Sequence, residues 1–129
     1  MNTSGNHLLA EYWECGAVLD DVEYIEVVLR RAAAVAGARV LRAWFHRFSP
    51  QGVSGVLVIQ ESHLSIHTWP ERSYAAVDLY TCGDADVRAA QRYLAEALGS
   101  TRSPFVVLAR GEGGPPHARG GAVEPKEQS

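Results

Sequence analysis

The chain has 129 residues, of which 47% are hydrophobic, and a formal net charge of −3. That is one domain by size, able to bury a core but small for an enzyme with a fully enclosed pocket, a problem that a site shared at a dimer interface would solve. No basic block suggests a nucleic-acid or polyanionic surface, and no apolar run approaches the ~20 residues of a membrane span.

The opening residues, Met1 to Asn6, have no basic region followed by an apolar one, so a cytoplasmic protein is expected. Two cysteines, Cys15 and Cys82, could pair only once, and free thiols are the default in a reducing compartment.

In chain order, residues 7–14 roughly alternate large apolar and polar side chains and predict a first strand. Gly16 and the pair Asp20-Asp21 mark a change of element, and acidic residues start helices well because a side-chain oxygen accepts from unpaired first-turn amides. Val22, Ile25, Val28, Leu29, Ala32 and Ala36 then recur at helical spacing up to Gly37, a natural stop. Strands are predicted over 39–48, 53–60 and 63–69, joined by links so short that neighbours must run antiparallel; Pro50 and Gly52 suit the first reversal. Pro70 ends the third of these. Residues 74–81 give another strand. A second helix, capped by Asp84 or Asp86 and running through Leu98, places Val87, Ala90, Tyr93, Leu94 and Leu98 on one face. A last strand over 104–109 completes a β-α-β-β-β-β-α-β order, an α+β two-layer sandwich with two helices on one face of an antiparallel sheet. The domain is thus expected to span 1–110. The stretch 111–129, rich in Gly and Pro, is expected to be disordered.

The chemistry concentrates in Glu61-Ser62-His63-Leu64-Ser65-Ile66-His67-Thr68-Trp69-Pro70-Glu71, followed by Cys82-Gly83. A strand normally spends such positions on apolar packing, whereas this run carries hydroxyl, imidazole, thiol and carboxylate groups. Taken alone, Ser62 reads as a turn hydroxyl, His67 as a hydrogen-bonded packing residue and Cys82 as a small buried hydrophobe. Together with Tyr74 to Asp78, His7-Leu8, Glu11, Cys15, Phe45 to Phe48, Pro50 and Gly52-Val53-Ser54-Gly55, the run resembles the bacterial and archaeal form of S-adenosylmethionine decarboxylase, a pyruvoyl enzyme made as a self-cutting proenzyme.

That resemblance implies a cut between Glu61 and Ser62, giving a β chain, 1–61, and an α chain, 62–129, that opens with a pyruvoyl group derived from Ser62. The group is the cofactor, and it forms a Schiff base with the substrate. The resemblance also makes His67 the proton acceptor in processing, Ser54 its helper, and Cys82 the proton donor that returns a proton to the substrate Cα. Glu71 is expected to accept from the ribose hydroxyls, with Phe48 and Trp69 as aromatic walls for the adenine and the sulfonium. The implied assembly is a homodimer of αβ units, sheets facing and helices outside, in a four-layer αββα arrangement. Its substrate is S-adenosylmethionine and its product the aminopropyl donor for spermidine.

A pyridoxal enzyme is disfavoured by the residues themselves, because the sole lysine, Lys126, lies in the tail. No metal is expected: His63 and His67 lack an acidic third partner, a weak case for zinc. Two alternatives stay open at this point. Ser49 and Gln51 stand where larger apolar residues are expected beside the nucleoside, so the same machinery could decarboxylate arginine or ornithine; an unprocessed nucleoside-binding regulatory homologue is the other reading.

Overall fold

The computed structural model describes residues 2–119. Strand β1 (Gly5–Tyr12) is followed by helix α1 (Val22–Ala36), then β2 (Val40–Arg47), β3 (Val53–Ile59), β4 (Ser62–Trp69), a 3-10 turn (Pro70–Arg72), β5 (Tyr74–Cys82), α2 (Val87–Ala97), β6 (Phe105–Arg110) and the two-residue β7 (His117–Ala118). The strands form one sheet in the order β2-β3-β4-β5-β1-β6-β7, each pair antiparallel.

Helix α1 starts where a carboxylate can receive its first amides: Asp21 accepts from Glu23 N at 3.1 Å and Tyr24 N at 3.2 Å. It stops at Gly37, whose φ of 83° lets its amide turn back onto Ala33 and Ala34 carbonyls. Its buried stripe is Ile25, Val28, Leu29, Ala32, Ala33 and Ala36. Helix α2 is capped by Asp86, whose side chain accepts from Ala89 N at 3.0 Å, so of the two expected caps Asp84 is not used.

Sheet and helices meet over a transverse row set by register. Leu57 faces Leu64, Leu64 faces Leu79, Leu79 faces Leu8, and Leu8 faces Val107, all essentially inaccessible. Each such side chain contributes about 1.5–3 kcal/mol by leaving water. Because side chains alternate along a strand, the intervening residues form the other face of the sheet, which no described element covers. There Trp44 is 74% exposed, with Leu9 and Val58 also in the open. No described helix is long and apolar enough to cross a membrane.

Two local expectations differ from the structure. The first strand ends at Tyr12 rather than residue 14, since Glu14 has a φ of 56°, incompatible with extended pairing. The segment 111–119, expected to be disordered, instead folds back on β6. Leu108 pairs with Ala118, Arg119 N donates to Val107 O at 2.8 Å, and the Arg119 guanidinium donates to Asn6 at 2.7 Å and Glu112 at 2.9 Å. Composition misleads here because hydrogen bonds to a free sheet edge, not apolar burial, order the segment. Residues 120–129 of that expectation lie outside the described residues.

Candidate active site

Ser62 opens β4 directly after the hairpin turn, and its neighbour Glu61 has a φ of 68°. A non-glycine residue in the left-handed region costs of order 1 kcal/mol and persists only where its surroundings impose it. Here that residue carries the carbonyl next to Ser62. The Ser62 hydroxyl is buried with no hydrogen-bond partner, the one such side-chain atom among the described residues. A buried hydroxyl left unpaired is itself unfavourable by about 1–3 kcal/mol. Both costs therefore fall on the two residues flanking one peptide bond. Cys82 ends β5 beside this turn: Glu61 and Cys82 together line clefts on either side of it.

The other expected residues gather at the far end of β4. Ser54 faces His67 across the β3–β4 ladder, and Ser54 Oγ lies 2.8 Å from His67 Nδ1. Phe48, Ser54, His67, Trp69 and Glu71 border one cleft of 330 Å³. Phe48 and Trp69 are 46% and 40% exposed, so neither is core packing. Gly55, next to Ser54, is a glycine for lack of room: a Cβ there would lie 2.1 Å from the Phe45 ring that covers it from β2. The loop carrying Phe48 is held from below by Asp20, which accepts from Gly52 N at 2.7 Å and from Arg47 Nη2 at 2.5 Å. Those hydrogen bonds hold the Asp20 carboxyl below its ordinary range. Beyond the cleft, Tyr74 stacks on Trp13 at 4.1 Å and leans on Trp69 at 5.3 Å. Burial and its hydrogen bond to Glu11 push the Tyr74 phenol up to about 12, so it remains a donor.

The two groups do not meet within one chain. Ser62 and His67 are five residues apart on an extended strand, roughly 16 Å at 3.3 Å per residue. An odd separation also places them on opposite faces. Ser62 shares the helix face with Leu64 and Ile66, whereas His67 shares the uncovered face with His63 and Ser65.

Between the two groups, on the uncovered face, lies a cluster the sequence reading did not single out. Asp78 Oδ2 is 2.7 Å from His7 Nε2 and 2.8 Å from His63 Nε2, and Ser65 Oγ donates to Asp78 Oδ1. Burial alone would raise the Asp78 carboxyl, but the donors from His7, Ser65 and His63 outweigh it and hold the group well below the usual carboxylate range. A carboxylate only accepts, so both imidazoles donate from Nε2; His7 Nδ1 is then a lone pair, facing Arg110 Nη1 at 3.0 Å. His7, His63 and Asp78 have ligand-type atoms within 4.8 Å of one another. A cation would require the Nε2 lone pair of His7, which turns Nδ1–H toward the Arg110 donor. The arrangement suits hydrogen bonding better than metal binding.

The family description S-adenosylmethionine decarboxylase matches residues 6–111, most of the chain. The chain belongs to this family. An S-adenosylmethionine decarboxylase proenzyme 2 from Halalkalibacterium halodurans is 50% identical over 115 residues, 88% of this chain and 91% of that one. An S-adenosylmethionine decarboxylase proenzyme from Carboxydothermus hydrogenoformans is 55% identical over 102 residues, covering 78% of this chain and 80% of that one. Among solved structures, the adenosylmethionine decarboxylase from Aquifex aeolicus superposes with a TM-score of 0.77 at 36% identity, covering 86% of this chain and 93% of that one.

As an S-adenosylmethionine decarboxylase family fold, the sheet brings Ser54 and His67 into contact, groups Phe48, Trp69 and Glu71 with them, and sets Ser62 and Cys82 apart. The Asp78 cluster was findable in principle. A charged residue at an alternating position of an apolar strand needs partners, and His7, His46, His63 and His67 all lie on predicted strands. Only the strand order, which puts β1 beside β5, says that His7 is one of them.

Proposed function

We propose that this chain is a self-processing, pyruvoyl-dependent decarboxylase that converts S-adenosylmethionine to decarboxylated S-adenosylmethionine and carbon dioxide, supplying the aminopropyl donor of spermidine synthesis. The observation that carries the reading is the unpaired, buried Ser62 hydroxyl beside a positive-φ Glu61, in a chain of this family. Those two features fit the group. A hydroxyl without a competing partner is free to turn on the adjacent carbonyl, and a distorted turn relaxes when its peptide bond opens.

In this reading Ser62 Oγ adds to the Glu61 carbonyl as a base takes its proton, the C–N bond breaks onto a protonated nitrogen, and an ester replaces the amide. Loss of the Ser62 Cα proton then expels the Glu61 carboxylate, and water hydrolyses the resulting dehydroalanine, as its imine tautomer, to the ketone with release of ammonia. His67 is suited to take the Cα proton: with hydrogen on Nδ1 donated to Ser54 Oγ, Nε2 keeps a free lone pair. The pyruvoyl group, once made, supplies an electron sink for the charge left by loss of carbon dioxide. Cys82 then delivers a proton to the substrate Cα, and Glu71, Phe48 and Trp69 hold the nucleoside. The grouping of those three about one cleft supports a nucleoside substrate over arginine or ornithine.

The separation of Ser62 from His67 supports a homodimer. A two-fold axis that runs across the strands and lays one uncovered sheet face on another would bring the Ser54–His67 end of each protomer to the Ser62–Cys82 end of its partner. That face offers apolar area for it, with a 620 Å³ hollow bordered by Trp44, Phe48 and Val56. The mature unit is then two αβ units in four layers, αββα, each domain cut into chains 1–61 and 62–129.

Intact mass under denaturing conditions tests the reading. The expected result is two fragments split after Glu61, the second lighter than a serine-initiated chain by one ammonia. A single uncut chain of 14.0 kDa that binds the nucleoside without turning it over would replace the enzyme with a regulatory homologue.

A further inference from the structure

We propose that Asp78 is a positioning residue that holds the cut end of the α chain, by fixing His63, the residue next to Ser62, from its own chain and from the β chain. The proposal rests on the self-processing reading above and concerns what happens after the bond opens.

Cutting after Glu61 removes the hairpin that closes β3 onto β4, and residue 62 becomes a chain terminus at the end of a strand. Its ladder partner, Ile59, then belongs to a different polypeptide. Strand ends and chain termini fray unless they are tied down, and a reactive group on a fraying end loses the alignment that catalysis depends on. The nearest side chain that can act as a tie is that of His63.

His63 is anchored by geometry that survives the cut. Asp78 lies diagonally across the β4–β5 ladder from it, 2.8 Å from Nε2, and is itself fixed by Ser65 directly opposite. His7 reaches the same carboxylate oxygen from β1, so one acceptor joins a strand of the β chain to two strands of the α chain. Tyr80, two residues before Cys82, sits in the same assembly, with its ring 5.1 Å from His7, 6.2 Å from His63 and 4.3 Å beneath the Arg110 guanidinium. The start of β4 and the end of β5, which carry the two groups that must work together, are thereby locked in register. A carboxylate is the right hub, because only an ionised acid accepts from three donors at once, and charge-assisted bonds are about twice as strong as neutral ones.

The test is hydrogen exchange on purified, processed protein, comparing wild type with Asp78→Asn and, as a second variant that keeps an aromatic ring, His63→Phe. Both variants are expected to cut, since the peptide still holds residue 62 until the bond opens. In each, amides of 63–66 are expected to exchange about tenfold faster or more, beyond any uniform acceleration that the helices share. The turnover number is expected to fall about tenfold or more while KM stays within about twofold, the mark of misplacement rather than lost binding. Ordinary exchange at 63–66 in cut Asp78→Asn protein overturns the proposal. Acceleration at 63–66 no larger than that of the helices also overturns it, by making Asp78 a general stability residue, as does a variant that fails to cut. A wild-type chain that itself stays whole removes the processing reading and this one with it, an outcome distinguishable by mass alone.

Discussion

Ser62 and His67 stand near opposite ends of one strand and point to opposite faces of the same sheet. If one must act on the other, they have to come from different protomers. Co-expression of Ser62→Ala with His67→Ala chains is therefore expected to restore cutting to roughly half of the His67→Ala chains, those paired with a partner that keeps its imidazole, given random association. Each variant alone is expected to stay whole, with His67→Ala trapped as an ester that hydroxylamine splits. No cutting in the mixture would place both groups in one chain.

Trp44 lies 74% exposed on the uncovered face, where a partner sheet would bury it. Trp44→Glu is expected to convert the protein to a monomer by sedimentation and to abolish cutting with it, since an unpaired charge buried against an apolar partner surface is costly. A monomer that still cuts at the wild-type rate would separate processing from assembly.

Cys82→Ala is expected to cut normally, because in the proposed mechanism the thiol acts on the substrate and not on the peptide. Its turnover should fall by about 10²–10⁴, the range for a lost general acid. Full turnover would remove Cys82 from the proton-donor role.

Asp20 holds the loop that carries Phe48 through the Gly52 amide and Arg47. Asp20→Ala leaves the processing groups untouched, so cutting should proceed. The KM for S-adenosylmethionine should rise by roughly five- to tenfold, comparable to loss of one charged hydrogen bond. An unchanged KM would mean that the loop does not meet the nucleoside.

Asp78 also predicts an acid-range signature. Its carboxyl is depressed in the folded protein, so its contribution is fully present above the unfolded value of about 4 and is lost as the pH falls from there toward the folded value. Urea midpoints measured from about pH 5 to about pH 3 in the uncut Ser62→Ala background should drop more steeply than when Asp78→Asn is added. Parallel slopes would deny the carboxylate that linkage.

The fold is readable from period and punctuation. Val22 to Ala36 repeat at helical spacing between an acidic cap and Gly37, and the alternation in β3, β4 and β5 already separates the helix face from the open one. The candidate site residues are named in the sequence by a motif resemblance alone, and their arrangement is not legible there. That Ser62 faces the helices depends on a register counted from Leu64, and that His7 reaches Asp78 depends on β1 slotting beside β5, a long-range pairing that local pattern does not encode. Segment 111–119 was misread because its order comes from Arg119, Asn6 and Glu112, a polar set that composition counts as solvated.

The strand order has a consequence for the lifetime of the mature protein. β1 lies between β5 and β6, and β3 lies beside β4, so a cut after Glu61, as proposed, would leave two polypeptides interleaved in one sheet rather than laid side by side. Neither fragment can leave without breaking ladders on both sides of the other. Before the cut the sheet assembles within one chain; afterwards it can be rebuilt only by an encounter of two fragments, neither of which has a complete core. Cutting as proposed would thus turn a fold that one chain can rebuild into one that is held by its unfolding barrier.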